Sequence, residues 1–218
     1  MKSTLLLTIL LITINALHGQ NSLEKHNQAV AQYNMALKLV EQKNYMEAFP
    51  LLNNTIKLDS TFRDGYVLVT QAAFESRLTE TARTCLEKGV TVYTDDDEII
   101  YYLAKIYQLE KNYPKAIETY TKAIDCAKVN GEEFPLVYDY YAGRGTCYLI
   151  QKQLTNALTD FDYSIKLDET KSAVYNNRGQ ALYQLKRINE ACLSWQKAID
   201  LGDNNAAAYI QKLCSKTK

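Results

Sequence analysis

The chain has 218 residues, 47% of them apolar, which is enough to bury a core without help from a cofactor. Its 25 basic residues balance its 25 acidic ones, so it lacks the positive field that nucleic acids and anionic membranes demand. Seventeen Tyr beside only 3 Pro and 8 Gly leave few tight-turn positions for a many-stranded β protein, and the composition favours helix.

At the N-terminus, Lys2 precedes an apolar run from Leu5 to Ile14, the length of a secretory h-region and short of the ~20 residues of a spanning helix. Small residues Ala16 and Gly19 offer cleavage points. Residues 1–19 are therefore expected to be a signal peptide; a cut after Gly19 leaves Gln20 first, able to cyclise to pyroglutamate. No Cys closes the apolar run, so the lipoprotein pattern is missing. The expected product is exported, periplasmic or secreted, without an integral membrane segment after signal removal. Losing Lys2 leaves a formal charge of about −1 by side-chain counting.

After a lead-in at 20–28, one segment recurs: Ala, then apolar residues at helical spacing, then a Lys-Ala-Ile-like ending. It starts at Ala48, Ala82, Ala116, Ala157 and Ala191, at spacings of 34, 34, 41 and 34 residues. A period near 34 is the length of a helix-turn-helix pair that stacks on its neighbours. The units fall at 29–62, 63–96, 97–130, 138–171 and 172–205. In the first, Met35, Ala36 and Leu39 precede Ala48 and Leu52, and Pro50 is expected to kink the second helix. The second carries Thr70 and Ala73, then Ala82 and Leu86. In the third, Leu103, Ala104 and Tyr107 lead to Ala116, Tyr120 and Ala123 on one helical face. Seven extra residues at 131–137 follow, where Gly131 and Pro135 favour a turn. Tyr141, Gly145 and Tyr148 with Ala157, Phe161 and Ser164 mark the fourth unit; Tyr175, Gly179 and Leu182 with Ala191, Trp195 and Ala198 mark the fifth. Residues 206–218 read as a capping helix and tail, without which the last apolar edge would stand open.

This spacing of aromatic, small and large residues in one helix and Ala, aromatic, Ala in the next resembles the tetratricopeptide repeat family. The resemblance implies an all-α fold, a right-handed alpha-solenoid of about five helix-turn-helix units plus a C-terminal capping helix. Gly or Ala in the first helix of a pair lets the second approach, and the aromatic fills the space beyond.

Catalytic chemistry finds little support. His18 leaves with the signal peptide, so His26 is the one remaining histidine, and no Walker loop, Gly-x-Ser-x-Gly elbow or His-Glu-x-x-His occurs. Gly143-Arg144-Gly145 lies inside a repeat helix and reads as packing rather than a phosphate loop. The run Asp95-Asp96-Asp97-Glu98 lacks the ligand alternation of a calcium loop and suits a helix N-terminus. Five widely spaced cysteines, Cys85, Cys126, Cys147, Cys192 and Cys214, form no Cys-x-x-Cys pair; they read as buried free thiols, with disulfides open in an oxidising compartment. No enzyme activity, cofactor or metal is expected.

The resemblance implies a protein or peptide partner held in a concave groove by first-helix residues outside the packing signature. Carried onto this chain, these are Tyr33, Asn34 and Leu37, then Val67 and Gln71, then Tyr101, Tyr102 and Lys105. The fourth unit supplies Asp139, Ala142 and Thr146, and the fifth Asn176, Asn177 and Gln180. Arg144 and Arg178, at equivalent places, are candidates for an acidic group or for bridges between repeats. Tyr area and Asn or Gln amides suit a peptide backbone. The family's chaperone-tail clamp finds only Asn34 and Lys105 here. The alternative is a structural subunit of a cell-envelope assembly using its convex face or terminal edges.

Overall fold

The computed structural model describes the backbone of residues 2–214 and the side chains of 19–214. The signal-peptide expectation thus falls almost entirely outside the described side chains. Among the described residues there is no strand, and no helix is long and apolar enough to cross a membrane.

The chain divides into two compact units at Tyr93 and Thr94. The first holds α1 (Lys2–Glu41), α2 (Tyr45–Leu58), α3 (Arg63–Ser76) and α4 (Thr79–Val92), each packed on the next. The second holds α5 (Asp97–Leu109), α6 (Tyr113–Asn130), α7 (Val137–Ile150), α8 (Leu154–Leu167), α9 (Ser172–Gln184) and α10 (Ile188–Asp200). There too each helix packs on the next. A single turn, α11 (Ala206–Tyr209), and a π-helical turn at Ile210–Cys214 end the described chain.

The hairpin turns follow one plan. Lys43, Arg77, Lys111, Lys152 and Lys186 take left-handed backbone, with φ between 60° and 65°. Where the pair closes fully, the next amide reaches back five residues: Asn44 N to Leu39 O at 2.8 Å, and Asn112 to Tyr107, Gln153 to Tyr148 and Arg187 to Leu182 at 2.9 Å. These bonds satisfy carbonyls that a helix end otherwise leaves bare. After α3 the turn differs: Arg77 N donates to Ala73 O at 2.8 Å, and the next amide, Leu78 N, donates to the Ser76 hydroxyl at 3.3 Å instead of to a carbonyl five residues back.

Packing follows small-for-large exchange. A Cβ added at Gly143 would lie 2.4 Å from Tyr120 Cζ; at Gly145, 2.9 Å from Phe161; at Gly179, 2.5 Å from the Trp195 indole. Glycine is thus required by close approach in the second unit, and its residues Gly143-Arg144-Gly145 lie inside α7. In the first unit Leu52 and Leu86 hold the place of those aromatics, both fully buried, and Thr70 turns its hydroxyl back onto Tyr66 O at 3.0 Å.

Several expectations need correction. Met35 is 54% exposed and does not pack, whereas Ala36 beside it is fully buried. Pro50, where a kink was expected, does not end α2, which continues to Leu58; Pro50 and Met46, whose carbonyl finds no N–H donor at Pro50, both lie on the exposed face. Three cysteines are free, Cys85 and Cys147 buried and Cys126 half-buried, but Cys192 and Cys214 form a disulfide. Of the seven extra residues at 131–137, where a turn was expected, residues 131–136 do form the turn between α6 and α7. Before that turn α6 runs to 18 residues against 14 in α8, and after it Val137 already belongs to α7. Glu132 then accepts from the hydroxyls of Tyr141 and Tyr163, both at 2.6 Å.

Candidate functional site

In the second unit, α5, α7 and the start of α9 enclose an open pocket of 440 Å³. Its polar lining includes Lys105, Tyr138, Asp139, Thr146, Lys171 and Asn177, and Ala142 and Gly143 form an apolar floor. The pocket exists because Gly143 stands where α5 has Tyr102 and α9 has Asn177, and its missing side chain also admits the Tyr120 ring from α6.

Asp139 is the hub of one wall. It accepts from the Tyr101 hydroxyl and, at 3.2 Å, from Lys105 Nζ. Burial, together with the Asp139 charge, pushes the Tyr101 phenol far above its ordinary value, so it remains a donor. On the opposite side Lys171 Nζ sits 4.9 Å from the Tyr138 ring centroid and 3.1 Å from Asp168. Hydrogen bonding from Thr170 holds the half-buried Asp168 carboxyl below its ordinary value, and Lys171 adds to it. Asn177 donates to Thr146 Oγ1 at 3.2 Å, across from α9 to α7.

The predicted groove residues separate by environment. Lys105, Asp139, Ala142, Thr146 and Asn177 come together at the pocket. Tyr101 does not: it is only 2% exposed, stacked on Tyr140 at 4.5 Å, so its expected role as a groove-facing ring is corrected to that of a buried support for Asp139. Asn176 is likewise buried, donating to Asp203 at 2.7 Å, and Gln180 donates to Asn176 at 3.3 Å. Tyr102 lies half-buried with its hydroxyl on Glu98 at 2.8 Å.

Arg144 and Arg178 are bridges. Arg144 forms a two-pronged pair with Asp160 on α8, both bonds 2.8 Å, and reaches Thr121 on α6 at 3.0 Å. Burial opposes its charge, but Asp160 outweighs it and keeps the guanidinium firmly protonated. Arg178 repeats the geometry one unit on, bonding Ser194 on α10 and Asp162 on α8, both at 2.6 Å. Each arginine spans its own pair and the preceding one, so neither is directed at a ligand.

In the first unit, Tyr33 and Leu37 are half-buried, Asn34 and Gln71 exposed, and Val67 half-buried. Tyr33 packs 5.1 Å from Phe62. Sequence reasoning missed a second pocket here, also 440 Å³, between residues 19–26 in the middle of α1 and the end of α2. There His26 Nδ1 meets Asp59 Oδ2 at 2.6 Å, and His26 lies 5.9 Å from the Phe62 ring. Sequence reasoning also passed over Lys171, which belongs to the inter-repeat turn rather than to a first helix. The acidic run sits at the start of α5, where Asp96 accepts from Ile99 N at 3.1 Å.

Residues 172–205 match the tetratricopeptide repeat model. Among curated proteins, the chain is 34% identical over 98 residues to heat shock protein STI1 of Saccharomyces cerevisiae, a stretch covering 45% of this chain and 16% of that protein. It is 30% identical over 102 residues to human DnaJ homolog subfamily C member 7, covering 47% and 19%. The matched stretch therefore spans less than a fifth of these relatives. Among solved structures, YrrB, a TPR protein with an unusual peptide-binding site, superposes with a TM-score of 0.67 at 18% identity, over 89% of this chain and 97% of that one. PilF of Pseudomonas aeruginosa gives 0.70 at 15%, over 86% and 82%. The chain thus shares the all-helical paired-repeat fold of these structures, and its residues 172–205 carry the signature of the tetratricopeptide repeat family.

Proposed function

We propose that this chain is a non-catalytic interaction module that holds an extended peptide segment of a partner protein at the pocket formed by α5, α7 and α9. The observation that carries this reading is the convergence of Lys105, Asp139, Thr146, Lys171 and Asn177, from three successive helix pairs, around one open concavity. Their donors and acceptors match a peptide backbone, and the half-buried Tyr138 ring offers flat apolar area. The likeness to YrrB, whose description names a peptide-binding site, supports the same use of the fold.

The test is affinity capture with the full chain against a Lys105→Ala, Lys171→Ala, Asn177→Ala variant of equal helical circular dichroism. A partner retained by the parent and lost by the variant is the expected result. Equal retention by both would move binding elsewhere and favour an assembly subunit that docks by other faces. That second reading draws on Leu109 and Ile150, equivalent residues exposed at 51% and 46%.

The same proposal places the mature protein outside the cytoplasm. The Leu5–Ile14 run motivates it, and the Cys192–Cys214 disulfide supports an oxidising compartment. Mass spectrometry of the N-terminus from the native source decides the matter: a start near Gln20 is expected, and an intact Met1 chain in the cytoplasm overturns it.

A further inference from the structure

The C-terminal cap is a weak element by its own sequence. It consists of one α turn and one π turn, nine residues, and only Ala206 within it is buried. A helix that short does not persist alone in water. It nonetheless covers the most demanding side chain of the unit. Tyr209 stacks on Trp195 with centroids 4.8 Å apart and planes 11° from parallel, and Ile210 and Leu213 pack on the same cluster. Beneath it Trp195 is fully buried, and its Nε1 has no hydrogen-bond partner among the described residues. What anchors the far end is the disulfide from Cys192, half-buried on α10, to Cys214 in the π turn.

We propose that the Cys192–Cys214 bond is a redox-operated latch: oxidised, it holds residues 206–214 over Trp195, and its reduction by a dithiol releases the cap and opens the α9–α10 end of the unit. The chemistry balances without further reagents. A thiolate of the dithiol attacks one sulfur, the other Cys leaves as a thiolate and takes a proton, and the second thiol of the reductant resolves the mixed disulfide. The reductant ends as a disulfide, and the protein gains two thiols, two electrons and two protons. Half-burial of Cys192 leaves it open to such attack, whereas buried Cys85 and Cys147 have no part in it. Closing a 22-residue separation favours the docked cap by about a hundredfold over the untethered segment, which is the margin that reduction removes.

Trp195 is the sole tryptophan, so it reports on the cap directly. In the full oxidised chain, three thiols are expected to titrate under denaturing conditions, and after dithiothreitol, five. Reduction should shift Trp195 emission to the red, raise its quenching by acrylamide and speed amide exchange in 206–214 by about a hundredfold, with helical circular dichroism otherwise kept. A Cys192→Ser, Cys214→Ser variant should show the open signals from the start and ignore the reductant. Five thiols before reduction, unchanged Trp195 signals after it, or loss of the whole helical signal would each overturn the proposal. The last would make the bond a general brace rather than a latch.

Discussion

The two compact units use the same hairpin plan with different interiors. In the second, aromatic side chains from α6, α8 and α10 sit against glycines 143, 145 and 179, and two arginines tie each pair to the one before. In the first, the corresponding places hold Leu52 and Leu86 with Ala36 and Thr70, and the turn at Arg77 closes with one backbone bond and one to the Ser76 hydroxyl rather than with two backbone bonds. The contrast teaches that the 34-residue period requires only complementary volumes, while the glycine–aromatic pairing makes a unit intolerant of change.

Four measurements would break or sharpen that contrast. Trp195→Ala should cost about 4 kcal/mol in urea unfolding of the second unit, because it removes a buried indole and the stacking partner of Tyr209, and Leu86→Ala about 1 kcal/mol less in the first. Equal losses would show that the aromatic knobs add nothing over leucine. Arg144→Ala should cost about 3 kcal/mol by stranding Asp160, whose side chain is 5% exposed, whereas Arg178→Ala should cost about 1 kcal/mol less, because Asp162 keeps its water and only the neutral, buried Ser194 hydroxyl loses its partner. Chemical denaturation of the two single variants checks this, and a reversal of their order would refute the assignment of Asp160 as a buried charge.

Next in size, Gly143→Ala should destabilise by about 1–3 kcal/mol, since its Cβ would force Tyr120 to move, while Thr70→Ala in the first unit should stay within ~1 kcal/mol. Thermal melts of the pair suffice. The smallest effect is electrostatic. Burial opposes the charge on Glu132, but the Tyr141 and Tyr163 hydroxyls outweigh it and hold the carboxyl below its ordinary value. A lowered folded value means stabilisation that is complete above the unfolded value, about 4.3, and fades as pH falls through the folded one. Glu132→Gln should therefore cost at most ~1 kcal/mol at pH 7 and nothing near pH 2. A loss that persists in acid would point to packing instead.

Helix pairing was legible because Ala, aromatic and Ala recur at one period, and such a period has few physical meanings. The fifth repeat reads most clearly, since Gly179 and Trp195 are both present, and the tetratricopeptide model matches those 34 residues. The site was legible in part. Lys105, Asp139 and Asn177 were found by their place in the first helix of each pair, but Tyr101, at an equally groove-like place, is drawn inside by Asp139 and Tyr140 on the next pair. Helical position alone does not contain that neighbour. Lys171 was missed because it lies in a turn, and the Cys192–Cys214 bond because a π turn, not sequence spacing, brings the sulfurs together.

Among the described residues, the turn inside each of the five helix pairs pivots on an exposed lysine or arginine in left-handed backbone, a conformation costing about 1 kcal/mol that glycine or asparagine would largely escape. All five are exposed, but Lys152 Nζ also donates to Gln184 Oε1 on the next pair at 2.9 Å, so Asn at any of the other four firms its own hairpin, whereas Lys152→Asn also releases that link. Nearest-neighbour stability in such repeats then becomes a sequence of separately adjustable rungs, and the order in which the hairpins melt can be rewritten without altering a buried atom.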